Sequence, residues 1–252
     1  MDQATCKNCN TVLIDDYCHK CGQKANTSRI TLNSLWHEVI HSLTHIEKGF
    51  FYTTIGLFIY PGKIINGYLS GKRVKIHKPI GLYFIWIGIY LIMDNVLKKE
   101  SKFEPLTDLS PDATLYEPLK AVYPIYEHYL AFATLPFLII APFIIYLIAA
   151  RKLDYNYAET FIMGIYISTA SYIFSLFVQM FGTFTCTYAW IQTHQLFIIA
   201  PGLFQTWTLF DTLKRKPYWK SFLIVLIINL INYTIFFCYL RYGVPFVVSL
   251  FI

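Results

Sequence analysis

Long apolar runs constrain this chain more than any other feature of it. Five segments, at about 79–97, 130–150, 160–182, 188–210 and 221–240, carry few charges and are long enough to cross about 30 Å of hydrocarbon as helices. Lipid offers no partner to a bare peptide group, so such segments fold as helices that satisfy their own backbone. Composition agrees: 14% of the residues are charged and mean hydropathy is +0.45, against about 25% charged residues in ordinary soluble proteins. The expected fold is an all-α integral membrane helical bundle of about five spans over residues 79–252, preceded by two smaller units at 1–28 and 29–78. The tail 244–252 is apolar but too short to span, and is expected in the interface.

The first unit reads as a small zinc ribbon built on four cysteines. Cys6-Lys-Asn-Cys9 and Cys18-His-Lys-Cys21 are two C-x2-C pairs with eight residues between them. Each pair can bend into a knuckle whose amides point at the thiolates, and two knuckles supply the four soft ligands that tetrahedral zinc prefers. Asn10 and Gly22 follow the knuckles, and both tolerate the positive φ such turns need. Thr11–Ile14 reads as a short strand and Asp15-Asp16 as a turn. So short a segment cannot bury a core, and bound metal would supply most of its folding energy. Four cysteines fill every position, which points to structural zinc; iron or a redox dithiol are the rival readings. His19 reads as a surface residue, and Cys186 and Cys238 as small buried hydrophobes. No basic stretch followed by an apolar core opens the chain, so no secretory signal is expected, and the thiols belong in a reducing compartment.

In the second unit Thr31 can cap an amphipathic helix reaching about Lys48. Leu32, Leu35, Trp36, Val39, Ile40, Leu43 and Ile46 form its apolar stripe, with His37, His41 and His45 opposite. His37-Glu38-Val39-Ile40-His41 matches the H-E-x-x-H pattern, in which two histidines one turn apart bind zinc and the glutamate activates its water. Two helical turns place His45 about 11 Å from His37, too far for a third ligand. That ligand would come from elsewhere, such as His77, Glu159 or Asp211. The helix is too polar to span, and a solvated polar face is the default reading of its histidines. The apolar stretch 49–60 is too short to span and reads as interfacial. Pro61 suits a helix start and Gly71 the cap at the helix end.

Lys72, Arg73, Lys75 and Lys78 precede the first span, as a positive-inside anchor or as a site for lipid headgroups. With the N-terminus cytoplasmic, 16 Lys and Arg fall inside and five outside, the sense that the positive-inside rule requires. The basic residues sit beside apolar spans rather than on one polar face, so no nucleic-acid partner is expected. The external loop, about 98–129, carries four prolines among acidic residues and reads as irregular. Gly164, Ser168, Ser171, Ser175 and Gln179 share one face of the third span, where small residues let helices approach. Gln192, His194, Gln195 and Gln205 mark the fourth, and intramembrane polar groups of this kind can mark a transport path.

The order of motifs resembles a known family. A C-x2-C ribbon ends Cys18-His-Lys-Cys21-Gly22-Gln23; Arg29-Ile30-Thr31 and Thr44-His45-Ile46-Glu47-Lys48-Gly49 follow, then Pro61-Gly62, Tyr68-Leu69-Ser70-Gly71-Lys72-Arg73 and Pro79. This resembles the bacterial membrane family known as domain of unknown function 3667. The resemblance implies a zinc-ribbon head on a multi-pass body in the bacterial cytoplasmic (inner) membrane. It brings no activity with it.

Three functions are compatible with these residues. The leading expectation is a non-enzymatic scaffold or adaptor in the lipid bilayer, whose cytoplasmic face binds a protein partner or lipid headgroups. The second is a small-solute transporter or channel. The third is a membrane metallohydrolase with His37 and His41 as zinc ligands and Glu38 as base.

Overall fold

The computed structural model describes residues 4–32, 34, 49–100, 136–184 and 196–239. Apart from the N-terminal knuckles and the connections between elements these residues are helical: α1 Phe50–Ile59, α2 Pro61–Leu69, α3 Pro79–Glu100, α4 Phe137–Ile148, α5 Tyr157–Phe184, α6 Leu196–Leu213 and α7 Tyr218–Cys238, with a 3-10 turn at Ala150–Leu153. The expected tail at 244–252, most of the 98–129 loop and the body of the His-bearing helix lie outside the described residues.

The centre of the bundle is α5. It packs against α3, α4 and α6, and against α1 and α2 at one end. Ala158, Ile162, Met163, Tyr166, Ile167, Ala170 and Ile173 are all buried along it. Gly164 lets α4 come close, because the ring of Pro142 occupies the space a Cβ would need. The small-residue face expected on this segment therefore does serve packing at Gly164. By contrast α7 is peripheral, touching α4 and α6.

Large apolar side chains point outward all round this bundle. Ile139, Phe143 and Leu147 on α4, Phe177 and Phe181 on α5, Leu203 on α6, and Leu223, Ile227 and Leu230 on α7 are exposed. Among the described residues two helices are long and apolar enough to cross a membrane, Tyr157–Gly182 and Tyr218–Phe236. They differ in surroundings: 56% of the best apolar window of the first is buried, and only 17% of the second. The first therefore passes as a core helix in any solvent, whereas the second leaves most of its apolar surface uncovered by protein. Shorter apolar helices are Phe50–Ile59, Pro79–Met93 and Phe137–Ile148.

α1 and α2 fold against one end of the bundle. The apolar dozen expected in the interface forms α1, whose Thr53, Gly56 and Leu57 are buried. Its far end carries Phe58 into a cluster with Phe174, Phe177 and Phe204, at 6.0, 5.3 and 5.5 Å between ring centroids. The chain breaks at Tyr60, and Pro61 opens α2 as its sequence position suggests. There the Gly62 N–H donates to Asp211 Oδ2 at 2.7 Å. Asn66 Nδ2 donates to the Thr212 carbonyl at 3.0 Å, and the Tyr155 hydroxyl to Asn66 Oδ1 at 3.2 Å. These bonds tie α2 to the α4–α5 connection and to the end of α6.

Candidate metal centre and its seat on the bundle

The two cysteine pairs fold as copies of one another in a register of twelve residues. The Cys6 N–H donates to the Thr11 carbonyl and the Cys18 N–H to the Gln23 carbonyl, both at 2.8 Å. The Asn10 N–H reaches back to Cys6 O at 2.8 Å and the Gly22 N–H to Cys18 O at 2.7 Å. Asn10 and Gly22 take φ of 59° and 73°, as their positions after the knuckles require. The strand expected over Thr11–Ile14 shrinks to a single bridge, Thr5 with Val12, matched by Tyr17 with Lys24 in the second copy. Each knuckle offers only one turn of partner chain, too little to extend a ladder.

The four thiols converge. Cys6 Sγ lies 3.6 Å from Cys21 Sγ, Cys9 Sγ lies 3.5 Å from Cys18 Sγ, and all four lie within 4.8 Å of one another. A tetrahedron with metal–sulfur bonds of about 2.3 Å sets its sulfurs about 3.8 Å apart, so the cluster fits one such ion. Cys6 and Cys18 are buried, and Cys9 and Cys21 half-buried. The Thr11 hydroxyl, 3.2 Å from Cys9 Sγ, and the Thr11 backbone amide favour the thiolate. They lower the Cys9 pKa from the ordinary 9.0 to about 6. Among the described residues this is the one cluster of metal-ligating side chains.

The head is seated on the bundle through residues 23–30. Arg29 grips Glu159 with two nitrogens, Nε to Oε1 at 2.8 Å and Nη2 to Oε2 at 2.9 Å, and its guanidinium also reaches the Asp154 carbonyl. This pair holds the Arg29 pKa above its ordinary value. Glu159 is presented by the start of α5. The Glu159 N–H donates to Asn156 Oδ1 and the Asn156 N–H to Glu159 Oε2, both at 2.9 Å, a reciprocal capping box. Asn156 Nδ2 also donates to the Ile30 carbonyl at 3.0 Å. On the other side the Arg73 N–H donates to Oε1 of buried Gln23 at 3.1 Å, and its guanidinium to the Ser28 carbonyl at 3.1 Å. Gly71, at φ 98°, ends α2 as expected and lies against Lys7 and Thr27 of the head. Val12, Ile14 and Tyr17 remain exposed on the head, Ile14 at 80%.

The other sequence-derived candidates fall in different places. His37, Glu38, His41 and His45 lie outside the described residues, as do Gln192, His194, Gln195 and Cys186. At the expected start of the His-bearing helix Thr31 and Ser34 cap one another, Ser34 N–H to Thr31 Oγ1 at 3.3 Å and Thr31 N–H to Ser34 Oγ at 3.0 Å. Two of the three suggested third ligands have side chains engaged elsewhere. Glu159 is held by Arg29, and Asp211 accepts from Gly62 and from Lys214 Nζ at 2.6 Å. His77 is buried, with its backbone N–H on Thr53 Oγ1 at 2.8 Å and its carbonyl accepting the Tyr166 hydroxyl at 2.6 Å; its ring Nδ1 lies 3.0 Å from the Lys78 carbonyl, and its buried Nε2 has no hydrogen-bond partner among the described residues. Cys238, expected to be buried, is exposed because α7 turns that face away from the bundle. His19 is at the surface as expected.

Within the bundle Ser168, Gln205, Asn229, Asn232 and Tyr233 line a cavity of about 160 Å³. Asn229 Nδ2 donates to Thr206 Oγ1 at 3.0 Å, whereas the buried Oδ1 of Asn232 has no protein donor among the described residues. Sequence reading singled out Ser168 and Gln205 but not the two asparagines, whose neighbours on α7 are apolar and give no periodic signal.

Residues 47–91 match the family described as Protein of unknown function (DUF3667). The match links the chain to this uncharacterised family. No curated protein and no solved structure matches it. The DUF3667 stretch runs from the end of the His-bearing segment through α1, α2 and the basic run into α3; the cysteine head lies outside it. Within that stretch Lys72 and Lys75 are exposed and Lys78 is half-buried. Arg73 packs its guanidinium 5.3 Å above the Tyr68 ring and holds the head.

Proposed function

We propose that the protein is a bacterial inner-membrane scaffold with α3–α7 as five spans and a cytoplasmic zinc ribbon that presents a binding surface to a protein partner. The observation that carries this reading is a metal site closed by four cysteines in a head clasped to one end of the bundle, with Val12, Ile14 and Tyr17 turned outward. A filled site leaves no coordination position for chemistry. Zinc bound by Cys6, Cys9, Cys18 and Cys21 would hold the knuckles folded, and the clasp would carry any load on the head into α5. Supporting the orientation, the head meets the α4–α5 connection, where Arg151 and Lys152 lie. This is an end that the distribution of basic residues assigns to the cytoplasm. Lys72 and Lys75 stand beside the head as further headgroup contacts.

The test is a photo-crosslinker at Ile14 in living cells, alongside metal content per purified chain. The scaffold reading expects one zinc per chain, lost in Cys6→Ser/Cys9→Ser and kept in His37→Ala/His41→Ala. It also expects a discrete adduct at Ile14 that vanishes with the cysteine variant. No adduct at Ile14 beyond that of a buried control position would sink it. A second metal lost with the histidines would favour the metallohydrolase.

A second reading, a small-solute transporter, is favoured by the amide-lined cavity among α4–α7 with its unpartnered Asn232 carbonyl. A solute that raises the melting temperature of wild type but not of Asn232→Leu would support it.

A further inference from the structure

A second cavity, of about 200 Å³, opens at the end of the bundle between the 3-10 turn and the α6–α7 connection. Its rim carries Lys152, Arg215, Lys216 and Lys220; its floor is apolar, with Ile148, Leu153, Leu213 and Ile224. The gathering of cations has a local cause. Ser221 staples the connection on itself, accepting from the Arg215 N–H at 3.0 Å and donating to the Arg215 carbonyl at 3.1 Å. That closure holds Arg215 and Lys216 near the start of α7, where they line the same cavity as Lys220 and Lys152. Of the acids near these segments in sequence, Asp211 is taken by Lys214 at 2.6 Å and by the Gly62 amide, and Asp154 interacts with Arg29. Among the described residues none of the four rim cations has a carboxylate partner.

Four like charges around one small cavity repel each other, and an apolar floor beneath them reduces the screening by water. An anion relieves that repulsion. The floor adds a second requirement, since a simple phosphate has no use for Ile148, Leu213 and Ile224. The flanks give a third. Tyr218 and Trp219 are exposed between the rim residues in sequence, and aromatic residues of this kind sit at headgroup level. Below them the outer face of α7 is a ladder of exposed Leu223, Ile227 and Leu230, suited to acyl chains. Basic pockets between spans on the cytoplasmic side are where anionic headgroups bind.

We infer that this cavity is a binding site for an anionic phospholipid. The phosphate sits among Lys152, Arg215, Lys216 and Lys220, the glycerol end rests on the apolar floor, and the acyl chains lie along α7. The inference rests on the membrane reading above and adds a site separate from the basic run at 72–78. Its effect would be to pin α7, the least buried helix, to α4.

The test uses full-length protein in nanodiscs of phosphatidylcholine with increasing phosphatidylglycerol, followed by thermal unfolding. The expected result is a midpoint that rises with phosphatidylglycerol. Lys216→Gln/Lys220→Gln should need roughly thirtyfold more anionic lipid for the same rise, and Lys72→Gln/Lys75→Gln should behave as wild type. Single Lys152→Gln and Lys220→Gln variants give graded weakening should the double variant fold poorly. An unchanged titration in all the rim variants, or an equal loss in the 72/75 control, overturns the site. Inorganic phosphate alone reproducing the stabilisation would reassign it to a soluble anion and overturn the lipid. Carbonate extraction is run on the same cells. Release of wild type from the membrane fraction would fail the membrane reading itself, and the lipid proposal with it. Retention of both proteins with no lipid response fails the lipid proposal alone.

Discussion

Cutting the clasp between the head and α5 should cost more from one side than from the other. The Glu159 side chain is 6% exposed, whereas that of Arg29 is 58% exposed. Arg29→Ala therefore strands a buried carboxylate, and Glu159→Ala releases an arginine that water can take up. Stranding one member of a buried pair costs about 3–5 kcal/mol; with so much of Arg29 in solvent, screening brings the expectation to about 2–3 kcal/mol. Asn156 softens the loss further by keeping its N–H on the carboxylate at 2.9 Å. Glu159→Ala forfeits half of a capping box and the charge-assisted bonds, about 1–2 kcal/mol. The double variant should resemble Glu159→Ala, because no buried charge then remains, which gives a coupling of about 2 kcal/mol. The sensitive assay is tryptic cleavage at exposed Lys24 in detergent-purified protein, since cutting there follows the population of the undocked head. Arg29→Ala should raise the cleavage rate roughly 30- to 150-fold, and adding Glu159→Ala should bring it partly back. Strictly additive effects, or a double variant cut faster than Arg29→Ala, would refute the stranded-charge argument.

Other outcomes follow from the same geometry. Gly71→Ala places a Cβ 2.9 Å from Lys7 Cδ and 3.0 Å from Thr27 Oγ1 at a φ of 98°, so it should cost about 1–3 kcal/mol and expose Lys24. Gly22→Ala, with open space around its φ of 73°, should cost only about 1–2 kcal/mol, and equal losses at the two glycines would count against the close approach at Gly71. Because the folded-state pKa of Cys9 is depressed from 9.0 to about 6, the thiolate's contribution to stability is present above pH 9 and fades as pH falls toward 6. In reduced, metal-free protein one thiolate should therefore titrate near pH 6 by ultraviolet absorbance. Thr11→Val should move that titration upward, and no movement would remove the role given to the hydroxyl. A strong chelator should abolish protection of Lys24 while the helical circular dichroism of the bundle stays, separating the stability of the head from that of the helices.

Chemistry set by near neighbours in the chain was legible before any coordinates. The cysteine spacing, the positive φ of Asn10 and Gly22, the proline opening α2 and the glycine ending it all depend on a few adjacent residues. Helices do form at the apolar segments expected near 79–97, 160–182 and 221–240, because apolar length dictates them. The seat of the head was not. Arg29 and Glu159 are 130 residues apart, and nothing in the local pattern of either names the other. Glu159 drew attention as a metal ligand, while Asn156-Tyr157-Ala158-Glu159 already spelled a capping box that would have placed it at a helix start. Cys238 was misread for a related reason: an apolar helix does not tell from its sequence which side faces protein, and α7 is apolar on both.

The contrast between α5 and α7 also bears on how this chain could drift through time. Most of α5 is packed between neighbouring helices, so a change at Met163, Gly164 or Ala170 must be answered by another helix. Positions such as Leu223, Ile227 and Leu230 are exposed, and in the membrane proposed above they would answer only to a fluid solvent that accepts any greasy side chain. Relatives should therefore keep the shape of α5 residue by residue, while the outer face of α7 retains little more than its oiliness.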